Sequence, residues 1–285
     1  MKPTSFIYLA LAVVLIIGGI FSCKYAESRA EKQGVKIFEQ QKDEEGNLVL
    51  DYRINDINIS SLSLVFSDVD VVINSTDENS KALLSNFEVN DYAITLSGSS
   101  LKIDGTVSFL ESLLDRSKGG FSFRGMRYFF SEKPEEGKKG TVTVNISSLS
   151  KLNSLSVNVK NGKLTINGLK NPIDYNIDVK NGDVELKDVS TVSLADITVS
   201  EGEAVINSSL INTISAEVTR GNIRINADGL YDSTMASYNV ISSSGSIIYN
   251  GAAIEDDIYK NTAANQKTNI KINITDGNAY IKDAE

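Results

Sequence analysis

The sequence predicts an all-β fold, a parallel β-solenoid of roughly 20-residue repeats, and three observations predict it. First, one short pattern is written four times between Leu155 and Asp228, with copies centred on Gly162, Gly182, Gly202 and Gly221 at spacings of 20, 20 and 19 residues. Second, these copies hold small or β-branched apolar residues in the same four columns. Before the glycine stand Val157/Val159, Ile177/Val179, Ile197/Val199 and Ala216/Val218; after it stand Leu164/Ile166, Val184/Leu186, Ala204/Ile206 and Ile223/Ile225. Alternation of this kind means strand, bend, strand, with one apolar face per strand. Third, a unit this short carries too little apolar surface to bury itself, so neighbouring units must complete its core.

The Asn-Gly pairs at 161–162 and 181–182 are also β-hairpin signals, because a type I′ turn needs φ > 0 at both central residues. They leave a hairpin meander closing into a sandwich as the other topology. The equal length of the copies favours the solenoid, in which like column stacks on like column. Asn and Gly also suit a solenoid corner through the same left-handed conformations.

Taken in order, residues 1–24 read as a membrane anchor or signal segment. Phe6–Phe21 is an uninterrupted run of 16 apolar and small residues between Lys2 and Lys24, short for a span and close to a signal-peptide core in length. Cys23, the single cysteine, stands where a bacterial lipoprotein is acylated. Ile20 and Ser22 fit that pattern, and Phe21 is too large for it. Lys24, Arg29, Lys32 and Lys36 follow the segment, which on a positive-charge count puts the body in the cytoplasm. The very short leading tail favours export, and an extracytoplasmic body is the expectation. Residues 25–46, rich in Glu, Lys and Gln, read as a polar stalk.

The solenoid domain is expected over residues 47–285. Leu48–Ile59 alternates, enters the first coil and covers its open edge. Leu64, Phe66, Val71 and Ile73 then fill the four columns with Val69 in the glycine place, and Ile94, Leu96, Leu101 and Ile103 fill them around Ser99. An irregular insertion, 107–140, interrupts the repeats. Its opening VSFLESLLD is expected to form a short amphipathic helix with Phe109, Leu110, Leu113 and Leu114 on one side. The rest interleaves Arg116, Lys118, Arg124 and Arg127 with Phe121, Phe123, Tyr128, Phe129 and Phe130. These nine residues are the candidate partner-binding patch, since aromatic faces stack on sugars or seat at a membrane interface while cations meet anionic polymer. The plainer reading is that the aromatics cap the side of the solenoid.

Beyond the regular copies, Val240, Ile247 and Tyr249 surround Gly245, and Ile272, Ile274, Ala279 and Ile281 surround Gly277. Ala252–Lys267 between them reads as a polar, acidic loop. Nothing equivalent follows the final copy to cover it, so the far end is expected to be left open, which allows end-to-end association without requiring it.

The units with a V-x-V-x-x-G-x-V-x-I rhythm, preceded by ISSLSLVFSDVDVVINST (59–76) and LSGSSLKIDG, resemble the bacterial putative-adhesin family of unknown function. The resemblance covers nearly all of residues 55–283 and implies a β-solenoid outside a membrane segment. The family has no agreed catalytic residues, so none is carried over.

Composition removes most catalytic classes. With no histidine, Ser-His or Cys-His nucleophiles and histidine-ligated metals are impossible, and neither a phosphate-binding loop nor a dinucleotide fingerprint occurs. No cofactor is expected. Asp68 with Asp70, or Asp183 with Glu185, offers oxygen ligands for a hard cation, but carboxylates two apart on a strand usually mark a solvated face. A net charge of −9 argues against nucleic acid. The expected function is a membrane-anchored, extracytoplasmic, non-catalytic surface interaction or adhesin-like module for an envelope polymer or protein partner, or one that senses envelope state. The rivals are a polysaccharide-active enzyme, for which a deep acidic groove would speak, and a structural spacer.

Overall fold

The computed structural model describes residues 39–42, 48–54, 59–85, 92–106, 114–115, 120–121, 139–171, 173–192, 194–207, 210–226, 236–263 and 268–282. The expected membrane or signal segment, most of the expected stalk, and most of the 107–140 insertion lie outside them. Among the described residues every regular element is a strand, and no helix is long and apolar enough to cross a membrane.

Strands β1 (Glu39–Lys42) and β2 (Leu48–Arg53) lead to β3 (Ser61–Thr76), which runs through both arms of one coil with Val69 near its middle. Next come β4 (Lys81–Ser85), β5 (Ala93–Ser97), β6 (Ser100–Asp104), the two-residue strands β7 (Leu114–Asp115) and β8 (Gly120–Phe121), and β9 (Gly140–Ser147). The regular copies give β10 (Ser154–Asn161) with β11 (Leu164–Asn167), and β12 (Asp174–Asn181) with β13 (Val184–Lys187). After β14 (Ser190–Val192) comes β15 (Ala195–Asn207), and after β16 (Leu210–Ile211) comes β17 (Thr213–Asn226). The chain continues through β18 (Ala236–Ser242), β19 (Ile247–Tyr249), β20 (Ala252–Ile254), β21 (Ile258–Asn261), β22 (Thr268–Asp276) and β23 (Ala279–Lys282).

Successive copies pair in parallel, column on column, which decides for the solenoid over the meander. Leu155, Tyr175, Ala195 and Ile214 lie in one register line, and Leu164, Val184, Ala204 and Ile223 in another. These side chains are at most 1% exposed. A large residue meets a small one where the column demands it, as Tyr175 meets Ala195, so the interior fills at constant coil spacing. Leu152, Leu169, Ile173 and Val189 are buried too, and β14 pairs with β16 in parallel, so the stretch returning from one coil to the next adds its own apolar residues to the core.

Spatial order departs from chain order at both ends. The first arm of β3 lies between β6 and β10, and its second arm between β9 and β11. One coil is therefore assembled from β6 and β9, with the insertion between them. At the other end β22–β23 lies between β17 and β18–β19. The last copy in sequence is thus an internal coil, which corrects the expectation that it forms an open end.

Both ends are closed by antiparallel strands. Strands β4 and β5 cover β9 and β6, and β20 and β21 cover β19 and β18. Ala252–Lys267, expected as a loop, holds these last two strands, because β18 and β19 would otherwise present unpaired backbone. Leu48–Ile59 contributes to the cover at one remove: β2 pairs with β4, not with the first coil. Tyrosines close the core, with Tyr52 and Tyr92 packed at one end and the rings of Tyr238, Tyr249 and Tyr259 with centroids 4.9–6.3 Å apart at the other.

Three further expectations are corrected. The stretch around Ser99 is a hairpin, not a coil: Gly98, at φ 60°, and Ser99 form a two-residue loop between β5 and β6. Leu101 and Ile103 consequently stack on Leu62 and Leu64, in the columns before the bend, and Leu96 is 58% exposed. Leu114 and Asp115, expected in a helix, pair antiparallel with Phe121 and Gly120. Finally, the Asn-Gly corners are not I′ turns. Among the described non-glycine residues only Asp188 and Asn250 have positive φ, so Asn161 and Asn181 are ordinary strand residues and the bend belongs to glycine.

Candidate functional site

The most organised polar feature is the corner where the two arms of each coil meet. Gly162, Gly182, Gly202, Gly221, Gly277 and Gly245 stack there, with φ between 137° and 153°, a region open almost only to glycine. A Cβ on Gly162 would overlap the carbonyl oxygen of Val69, and one on each other glycine would overlap that of the glycine in the adjoining coil. The glycine column is what lets the corner bend and the coils close on each other at β-sheet spacing.

The residue after the glycine staples coil to coil. Asp70 Oδ1 accepts the Lys163 N–H at 2.8 Å, Asp183 Oδ1 that of Glu203 at 2.9 Å, Asn222 Oδ1 that of Asn278 at 3.1 Å, and Asn278 Oδ1 that of Ser246 at 2.8 Å. On the other side of the bend Asn161 Nδ2 donates to Asp68 Oδ1 at 2.6 Å and Asn181 Nδ2 to Asn161 Oδ1 at 2.7 Å. Cations fill the gaps: Lys139 meets Asp70 at 2.6 Å, Lys163 meets Glu185 at 2.8 Å, and Arg220 and Arg224 pair with Glu201 and Glu203. On the second arm Asn167 Nδ2 donates to Asn74 Oδ1 at 3.1 Å.

Asp68, Asp70, Asp183 and Glu185 already accept hydrogen bonds or ion pairs between coils, and among the described residues no group of three His, Cys, Asp or Glu side chains can hold a metal ion. Burial works against the Asp70 carboxylate, but the Lys139 ammonium and the Lys163 N–H outweigh it and hold its pKa below the ordinary carboxylate value. The bond to Glu185 raises the Lys163 ammonium. The chemistry of the corner is mutual fixation rather than proton transfer. Sequence reasoning passed over it, although the signal was present: Asp or Asn follows the glycine position at Asp70, Asp183, Asn222 and Asn278.

A cleft of about 520 Å³ lies on the second arm, lined among others by Val205, Arg224, Asn226, Ile248, Tyr280 and Lys282, with no carboxylate among the described residues of its lining. The Arg224 guanidinium lies 4.2 Å from the Tyr280 ring centroid. Of the sequence-derived site residues, Cys23, Arg116, Lys118, Phe123, Arg124, Arg127, Tyr128, Phe129 and Phe130 lie outside the described residues. Phe121 ends β8, opposite Leu114.

Among solved structures, the chain is similar to a putative cell adhesion protein from Clostridium sporogenes, at 14% identity over 84% of this chain and 100% of that one, with a TM-score of 0.45. A putative adhesin from Bacteroides fragilis matches at 15% identity over 85% and 99%, with a TM-score of 0.43. A putative lipid binding protein from Parabacteroides distasonis matches at 11% identity over 87% and 100%, with a TM-score of 0.34. No curated protein matches the chain. A family match carries the assignment that the coils, the glycine corner and the 20-residue period lead to: over residues 50–282 this chain belongs to the Toastrack DUF4097 family.

Proposed function

We propose that this protein is a non-catalytic, adhesin-like interaction module, held at a membrane by residues 1–24 with its body outside the cytoplasm, in which the solenoid is a rigid mount and the 107–140 insertion carries recognition of an envelope polymer or protein. The observation that supports this reading is the point of attachment. In the regular coils two residues separate the arms, as between β10 and β11 or β12 and β13, or one strand runs through the corner, as in β15 and β17, whereas between β6 and β9 the chain leaves at Gly105 and returns at Lys139. That departure holds Arg116, Lys118, Phe121, Phe123, Arg124, Arg127, Tyr128, Phe129 and Phe130, the stretch where cations and aromatic rings interleave in an acidic protein. It springs from the coil whose covering strands also carry β1 and β2, the incoming part of the body. Stapled coil faces elsewhere suit a mount that holds its shape while a partner engages one end.

Protease treatment of intact cells, followed by mass measurement of the N-terminal fragment, tests the topology. Digestion of the body from outside with residues 1–24 still attached supports display, and protection from outside overturns it. Phe129→Ala with Phe130→Ala tests the recognition element on isolated envelope: binding should be lost with the fold intact. Unfolding of the double variant would assign these rings to capping the solenoid.

A further inference from the structure

The C-terminal coil occupies a place that an earlier part of the chain is able to take. Strand β18 begins ten residues after β17 ends (226 to 236), whereas β22 begins 42 residues after it (226 to 268). Loop closure favours the shorter connection, so β18–β19 meets the exposed edge of β17 first. Nothing in the template bars that pairing. Gly245 stands in the glycine column at φ 152°, as Gly277 does at φ 141°. The Ser246 N–H, which donates to Asn278 Oδ1 in the finished stack, corresponds to the Asn278 N–H, which donates to Asn222 Oδ1. Tyr238, Val240 and Ile247 fill the columns that Ile270, Ile272 and Ala279 fill in the finished stack.

We infer that the body folds through a competing stack in which β18–β19 lies directly on β17, and that residues 268–282 act as an insertion latch which displaces it and completes the solenoid. The finished arrangement wins because the inserted coil buries Ile270, Ile272, Ile274 and Ile281 between two existing layers and gains a parallel ladder on each side. The latch makes completion of the body depend on its final copy, independently of what the body binds.

Disulfide trapping reads the two stacks directly. Ser215, Lys271 and Asn239 stand in one outward column, in that order. Neighbouring strands lie about 4.8 Å apart, within disulfide reach, and alternate strands about twice that, beyond it. In the full chain carrying Cys23→Ser, Ser215→Cys with Asn239→Cys should crosslink early in refolding and then decline, while Ser215→Cys with Lys271→Cys rises. A chain ending at Asn261 should lock the Ser215→Cys/Asn239→Cys pair permanently. The inference is overturned if that pair never crosslinks above a Ser156→Cys/Ser215→Cys control at any time in refolding of the full chain. It is overturned equally if Ser215→Cys/Lys271→Cys forms at its final yield from the outset. Should the shortened chain fail to fold, the full-chain time course decides alone.

Discussion

A single missing methyl group fixes the corner of each coil. Gly182→Ala places a Cβ against the Gly162 carbonyl at φ 147°, and both obstacles are backbone. The expected loss is at least about 3 kcal/mol, or failure to fold. Gly98→Ala, with φ 60° and nothing within 4 Å of the added carbon, should cost only about 1 kcal/mol. Urea midpoints compare the two, and equal losses would refute the stacking argument. Tyr175 offers the opposite case. Its hydroxyl is buried with no hydrogen-bond partner among the described residues, and burial pushes its pKa well above the ordinary phenol value. Tyr175→Phe keeps the ring and should raise stability by about 1 kcal/mol; a lower midpoint would show that the hydroxyl has a partner. Asp70 supplies a pH dependence. Its folded pKa is depressed, so the stability it contributes is present above the unfolded carboxylate value and is lost as pH falls through the folded one. Asp70→Asn, which retains an acceptor for the Lys163 N–H, should flatten the acid limb of a midpoint-against-pH curve below about pH 4. An unchanged limb would remove Asp70 from that role.

At the scale of elements, the strands that matter most for solubility are the ones that close the stack. Strands β20 and β21 are three and four residues long and flank the acidic turn Glu255, Asp256 and Asp257, which is a recognised way to make a sheet edge unattractive to another chain. Replacing residues 252–261 by a Gly/Ser linker of equal length should expose β18 and β19 and produce concentration-dependent association in light scattering. If the altered chain scatters no more than the original, the cover has another purpose. Regular elements were legible because their columns repeat: Val157 to Val218 and Leu164 to Ile225 are where the periodicity puts them. The covers were not legible. Ala252–Ile254 and Ile258–Asn261, at three and four residues, are too short to announce strands, and the backbone they satisfy belongs to elements distant in sequence or order. The candidate patch around Phe129 came from composition alone, whereas the Asp or Asn after each glycine position stands in the sequence, and its partners at Asp70 and Asp183 were identified only when coils 20 or 93 residues apart were brought together.

Over the whole molecule stability is close to one-dimensional, since each coil touches only its neighbours. Amide exchange should therefore be slowest in β12 and β15, which have coils on both sides, and fastest in β5 and β20, each paired on one side. Uniform protection from end to end would mean that the stack opens only as a unit. The sequence by itself determined the all-β class, the period, the glycine corner and the inward columns, because these are local rules written again in each copy. The tertiary structure alone decided which copy stacks on which, how both ends are closed, and that the last coil lies inside. The physical reason is that any copy of the template satisfies the edge of any other, so stacking order is set by loop closure and total burial across the finished chain rather than by a signal within one repeat.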